Sequence, residues 1–255
     1  MMSDNNLNVY GDGSYGGGSY DKVNINGDAT ISGDVECNTI KIRGNGHIKG
    51  GIKSEKMSVW GHGSFEGTGD IYEFSVVGDA KINGKTMISK AKIMGMCEID
   101  SNTVIDENKL YGTLKIDGNY RGITAKIKGE LTVSGDTEVE QFISDGSFCI
   151  QGLLNGEEII INPFFSRSYA KEIGGERIVV KKKNDLSISL PFAKTGKLET
   201  ELIEGNHIYL EDTTAKIVRG DYVEIGPNCK IDKVEYTGQY IPHNGSKVGE
   251  AVKSE

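Results

Sequence analysis

Glycine returns every seventeen residues through the first part of this chain, at Gly27, Gly44, Gly61, Gly78, Gly95, Gly112, Gly129 and Gly146. Cut at that period from Val23, residues 23–158 fall into eight segments, among them VNINGDATISGDVECNT, IKIRGNGHIKGGIKSEK and AKIKGELTVSGDTEVEQ. With 35 glycines in 255 residues, one chosen column would be all glycine by chance about once in ten million trials. The eleventh column is glycine seven times and departs only at Ser101. Such self-similarity means a stacked repeat, in which each unit buries its apolar side chains against its neighbours.

The remaining columns say what stacks. The ninth is apolar throughout: Ile31, Ile48, Phe65, Ile82, Ile99, Ile116, Val133 and Ile150. The third is apolar from Ile25 through Ile42, Val59, Val76, Ile93 and Leu110 to Ile127, and then turns to Ser144. Mostly polar residues flank the ninth. Alternation with period two, broken by glycine about every six residues, describes short strands joined at corners. Each coil then lies on the one before at a strand spacing of about 4.8 Å, so that equal columns become ladders. The columns therefore predict an all-β chain, a three-faced parallel β-helix of 17-residue coils over residues 21–158. The ninth column is its core ladder, each member contributing about 1.5–3 kcal/mol when buried. The glycine columns are expected at corners, where φ > 0 would strain any residue with a Cβ.

This reading disposes of two loops, GNGHIKG and GHGSFEG, that look like phosphate cradles. Both belong to the glycine ladder, and its other members lack their second glycine. A literal GxGxxG occupies residues 11–16, but no strand precedes it and no periodic helix follows. Residues 1–20 are read instead as a flexible Gly-rich tail. After Glu158 the ladder breaks, with Pro163 where the corner glycine belongs. RIVVKKKNDLSISLPF suggests two strands about Asn184 and Asp185, and Gly205, Gly220, Gly226 and Gly238 follow at irregular spacing. Residues 159–240 are expected to be an irregular β segment that extends or caps the helix, or else a separate small β-domain. Residues 241–255 are expected to be a disordered tail.

The formal charge of −8 gives no electrostatic attraction for nucleic acid or anionic lipid. Lys181, Lys182 and Lys183 form the sole basic run, read as a solvated strand edge. No apolar stretch approaches the roughly 20 residues that cross a bilayer, and the start lacks the pattern of a signal peptide. Cytoplasmic location is the expectation. Cys37, Cys97, Cys149 and Cys229 are scattered and are expected to be reduced thiols. His47 and His62 lie in different columns with no acid or nucleophile placed beside either, and the histidines, with His207 and His243, are read as solvated. No Cys/His spacing recurs, and Asp28, Asp34, Asp79 and Asp136 beside the corner glycines follow turn preference. No catalytic residue, cofactor or metal is expected, and the chain is not expected to be an enzyme.

The run VNINGDATISGDVECNTIKIRGNGHIKGGIKSEK, and its echo in AKIKGELTVSGDTEVEQ, resembles the bactofilins, bacterial polymer-forming cytoskeletal proteins, over residues 20–160. The resemblance implies a right-handed coil, which the columns alone leave open. It also implies end-to-end polymerisation without nucleotide and a scaffolding role at the cell envelope. The partners implied are the chain itself, a sibling protein of the same family and envelope-associated proteins. Residues 1–8 offer no apolar membrane-targeting stretch. Any place at the inner face of the cell membrane is thus expected through partners, with no direct insertion. A non-polymerising β-helical adaptor is the alternative. A hexapeptide-type transferase is a weaker one, since its apolar period of six is missing here.

Two surfaces follow. A β-helix ends in open strands that invite another strand, and Val23, Ile25 and Ile31 in the first coil are the candidate assembly end. Column four carries Trp60, Val77, Met94 and Tyr111 on consecutive turns, an outward stripe about 14 Å long. Outward apolar ladders mark interaction surfaces. The stripe is expected to be covered by Phe164, Phe165 and residues 190–192, or by a neighbouring filament; scattered exposed apolar residues are the plainer reading.

Overall fold

The computed structural model describes residues 5–163, 167–183 and 196–254. Among these there is no helix, and the strands pair in parallel as a β-helix. The chain divides into two compact units, Met1–Gly122 and Ile123–Glu255.

The first unit holds β1 (Asn6–Val9), β2 (Gly13–Ile25), β3 (Asp28–Ile42), β4 (Asn45–Ile48), β5 (Ile52–Val59) and β6 (His62–Phe65). It continues through β7 (Gly69–Val76), β8 (Asp79–Ile82), β9 (Thr86–Ile93), β10 (Met96–Ile99), β11 (Thr103–Leu110) and β12 (Thr113–Ile116). Ile31, Ile48, Phe65, Ile82, Ile99 and Ile116 are successive partners, each seventeen residues after the last. None of the six exceeds 2% exposure. Each regular coil has three inward pairs of residues. In one coil these are Ala29 and Ile31, Val35 and Cys37, and Ile40 and Ile42, all buried. The corners between them are Ser32-Gly33-Asp34, Asn38-Thr39 and Arg43-Gly44-Asn45.

The fifth-column glycines stand at corners for a reason other than the expected sign of φ. Among the described residues, glycine takes positive φ only at Gly18, Gly33, Gly118 and Gly245, none of them in that column. Close approach selects glycine instead. The carbonyl of Gly61 accepts the N–H of Asp79 at 2.9 Å. That same oxygen would lie 2.1 Å from a Cβ placed on Gly78, far inside van der Waals contact. Gly44, Gly61, Gly95 and Gly112 face the preceding glycine's oxygen in the same way, at 2.0 to 2.2 Å. Thus the hydrogen bond that stacks one corner on the next leaves no room for a side chain. In the eleventh column backbone sign does matter, at Gly33 with φ 108° and at Gly118 with φ 155°.

The strand β13 (Tyr120–Ile127) spans the boundary, and the second unit holds β14 (Glu130–Val133), β15 (Thr137–Ser144) and β16 (Ser147–Ile161). It continues with β17 (Ser168–Val180), β18 (Leu198–Leu210), β19 (Thr213–Ile225), β20 (Lys230–Pro242) and β21 (Lys247–Lys253). The segment expected to extend or cap the helix continues as coils. Leu198 pairs with Thr213 and Leu210 with Ile225, a constant fifteen residues apart. Leu198 and Thr200, Ile203 and Gly205, and Ile208 and Leu210 keep three faces with two inward residues each. What has gone is one residue from each glycine corner, now Glu201-Leu202 and Glu211-Asp212. Asp212 closes its corner at φ 47°, a conformation aspartate tolerates better than most residues.

A different glycine ladder appears in this unit. Gly156, Gly175, Gly205 and Gly220 are successive partners. An added Cβ on Gly175, Gly205 or Gly220 would lie 2.3 to 2.5 Å from the oxygen of the preceding glycine. Their sequence spacing is uneven because the coils differ in length, while the stacking is continuous. Among the described residues, the two tails expected at the ends of the chain also hold strands. Tyr15 of β2 pairs with Ile31 and Tyr20 with Cys37, and β21 pairs with β20 from Lys247 to Lys253.

Candidate functional site

A solenoid presents flat outer faces, corner ridges and terminal coils. The corner that holds Asn38 and Thr39 carries charge in order on the coils that follow. Lys56, Glu73, Lys90 and Glu107 succeed one another at one position of β5, β7, β9 and β11. Lys56 Nζ lies 2.9 Å from Glu73 along this corner, and on an outer face Lys53 Nζ lies 2.8 Å from Glu36. The alternation keeps like charges from facing one another across the ladder. The 17-residue cut would have revealed this alternation had it been applied to outward columns as well as apolar ones.

One histidine reading is corrected. His47 does have an acid beside it, its Nε2 lying 3.1 Å from Glu66 Oε1. A residue in the eighth column meets the tenth column of the next coil diagonally, as Lys81 meets Asp100 at 3.3 Å. His243 meets Glu224 at 2.6 Å. All three are polar contacts between half-exposed side chains on the outer surface. Burial pushes the Cys97 thiol up to about 12 and the Cys229 thiol up to about 11, which makes both poor nucleophiles. Among the described residues no three His, Cys, Asp or Glu side chains cluster as metal ligands. The GxGxxG at residues 11–16 runs into β2, so no helix N-terminus stands there to receive a pyrophosphate. No helix among the described residues is long and apolar enough to cross a membrane.

The corner ridge is apolar where column four stacks. Trp60, Val77, Met94 and Tyr111 each donate a backbone N–H to the coil below, at 2.7 to 2.8 Å, and turn their side chains outward. They are 61%, 36%, 42% and 48% exposed. Phe164, Phe165 and residues 190–192, named above as a cover, lie outside the described residues. In dispersed protein Trp60 is expected to emit as a water-exposed indole. If the ridge is an interface, the emission shifts to the blue and iodide quenching falls on assembly. Unchanged, fully water-exposed emission in the assembled protein would remove the ridge from consideration.

The candidate assembly end is not terminal. Val23 and Ile25 pair with Leu7 and Val9 on one side and with Ile40 and Ile42 on the other. Ile31 pairs with Tyr15 and Ile48. The outermost rung of the first unit is β1 together with the first half of β2. The sequence signal for that rung was obscured because its inward positions are Gly13, Tyr15, Gly18 and Tyr20, which break the aliphatic column.

No family model matches the chain, and no solved structure matches it. It is similar to two curated proteins of Bacillus subtilis (strain 168). It is 40% identical over 104 residues to "Uncharacterized protein YhbE", covering 41% of this chain and 44% of that one. It is 45% identical over 85 residues to "Uncharacterized protein YhbF", covering 33% and 34% respectively. The chain thus spans less than half the length of these curated relatives, and the likeness carries no activity with it.

Proposed function

We propose that this protein is a self-assembling scaffold whose subunits add end to end without nucleotide, and that it has no catalytic role. One observation carries the reading. Within each unit successive coils join through the same parallel ladder over an aliphatic interior, so a coil from another copy meets the chemistry of a coil's own neighbour. Among the described residues β1 is registered against β2 and β21 against β20, each along one edge. A head-to-tail contact of this kind does not close on itself, and it propagates. The resemblance of residues 20–160 to the bactofilins supports the same reading. It suggests a sibling protein as co-polymer and a cytoplasmic place beneath the envelope reached through partners.

Purified protein without ATP or GTP is expected to sediment and to form filaments under the electron microscope. A soluble monomer at high concentration and moderate salt overturns the proposal and favours a non-polymerising adaptor. The adaptor reading has its own support in the apolar ridge of Trp60, Val77, Met94 and Tyr111, a surface suited to a protein partner.

A further inference from the structure

Val23, Ile25 and Ile31 are covered by one coil of unusual composition. Leu7 and Val9 of β1 lie over Val23 and Ile25, and Tyr15, Gly18 and Tyr20 of β2 lie over Ile31, Val35 and Cys37. The covered side chains are aliphatic or thiol, uncharged and buried, with Val23, Ile25 and Ile31 at 0% exposure. The covering coil is different. Five of residues 11–18 are glycine, and its inward tyrosines Tyr15 and Tyr20 are only half-buried.

Those rings are held from within their own coil. Tyr20 donates its hydroxyl to the Gly16 carbonyl at 2.9 Å. The Tyr15 ring lies over Gly13, whose absent Cβ would be 2.7 Å from the Tyr15 hydroxyl oxygen. Asn5 closes the coil, accepting the Asp21 N–H at 2.9 Å and donating its side-chain amide to the Ser19 carbonyl. The coil therefore orders many glycines, which lose the most freedom on folding, and buries little side chain in return. Segments of that kind open first. Below it, by contrast, Ile31, Val35, Ile40 and Ile42 are fully packed.

We propose that residues 5–20 are a displaceable lid over the joining edge, exchanged for a coil of a second copy when subunits add. The proposal rests on the end-to-end reading and deepens it. Displacement trades one parallel ladder for another, so the backbone hydrogen bonds are replaced in kind, and the joint gains whatever apolar packing the glycine–tyrosine coil lacks. The edge uncovered is formed by Val23, Ile25 and Ile31, with Val35 and Cys37 on the neighbouring face.

Hydrogen exchange on the dispersed full chain provides the first test. Amides of residues 13–20 are expected to exchange at least about a hundredfold faster than those of residues 35–42; equal protection overturns the lid. Two variants then move assembly in opposite directions. Tyr20→Ala loosens the lid and is expected to lower the concentration at which pellets form by about tenfold, in proportion to the open fraction. Gly11→Ala with Gly16→Ala stiffens it where nothing lies within 4 Å of an added Cβ, and is expected to raise that concentration severalfold. Circular dichroism checks that the remaining coils are intact in each. Assembly that ignores both variants overturns the lid alone. No assembly by any form, with the coil seen to open, overturns the end-to-end reading and the lid with it.

Discussion

Gly78→Ala is expected to destabilise the protein by about 3 kcal/mol, although it adds a single methyl group on the surface side of a corner. The new Cβ would lie 2.1 Å from the Gly61 oxygen, 2.5 Å from the Trp60 oxygen and 2.8 Å from the Trp60 carbonyl carbon. All three are backbone atoms, so no rotamer change relieves the clash. Relief requires parting two coils. That breaks the bond from the Asp79 N–H to the Gly61 carbonyl, 2.9 Å, and the longer one from the Gly78 N–H to the Val59 carbonyl, 3.3 Å. Each bond lost adds about 0.5–1.5 kcal/mol to the overpacking cost. Gly16→Ala is the contrasting case, with nothing within 4 Å of the added atom and an expected change within about 0.5 kcal/mol. Urea denaturation followed by circular dichroism reads both. If φ > 0 were the reason for the ladder, corner glycines would tolerate Asn; close approach says that Gly78→Asn fares worse than Gly78→Ala. An unchanged midpoint for Gly78→Ala removes the close-approach account.

Most of the first unit was legible because its coil length is constant. A fixed period turns sequence position directly into height on the ladder, so glycine, isoleucine and valine columns announce the stacking without coordinates. The period hid what does not repeat by seventeen. Residues 13–20, in the coil that covers Ile31, substitute glycine and tyrosine for the aliphatic column and read as a flexible tail. In the second unit two corners each lose a residue, and the glycines that occupied them go too. Gly156, Gly175, Gly205 and Gly220 stack in one column although their spacings in sequence are unequal. Periodicity in the chain and stacking in space are separate properties, and only the second is physically required. The His47–Glu66 pair was missed for a related reason, since columns compare equal positions and the contact is diagonal between coils. The apolar ridge was legible because Trp60, Val77, Met94 and Tyr111 do share one column.

Ile99→Lys is expected to abolish folding of the first unit near neutral pH, and the pH dependence of the failure separates charge from volume. Ile99 is 1% exposed and lies in its ladder between Ile82 and Ile116, both aliphatic and equally buried. An ammonium placed there has no acid on its own ladder and has coils above and below it. Leaving one buried charge uncompensated costs about 3–5 kcal/mol, a large share of the stability of an ordinary domain. Burial lowers the lysine pKa in the folded state below the unfolded value of about 10.4, so the unfolded chain binds more protons between those two values. Stability of the variant therefore rises as pH climbs through that window, and the penalty is constant and largest below the folded pKa. Ile99→Met keeps roughly the same volume without charge and is expected to cost less than about 1.5 kcal/mol, independent of pH. A lysine variant as unstable at pH 10 as at pH 7 assigns the fault to shape. One as stable as the wild type at pH 7 means that position 99 does not face an enclosed interior, and the inward ladder on which the fold rests is lost.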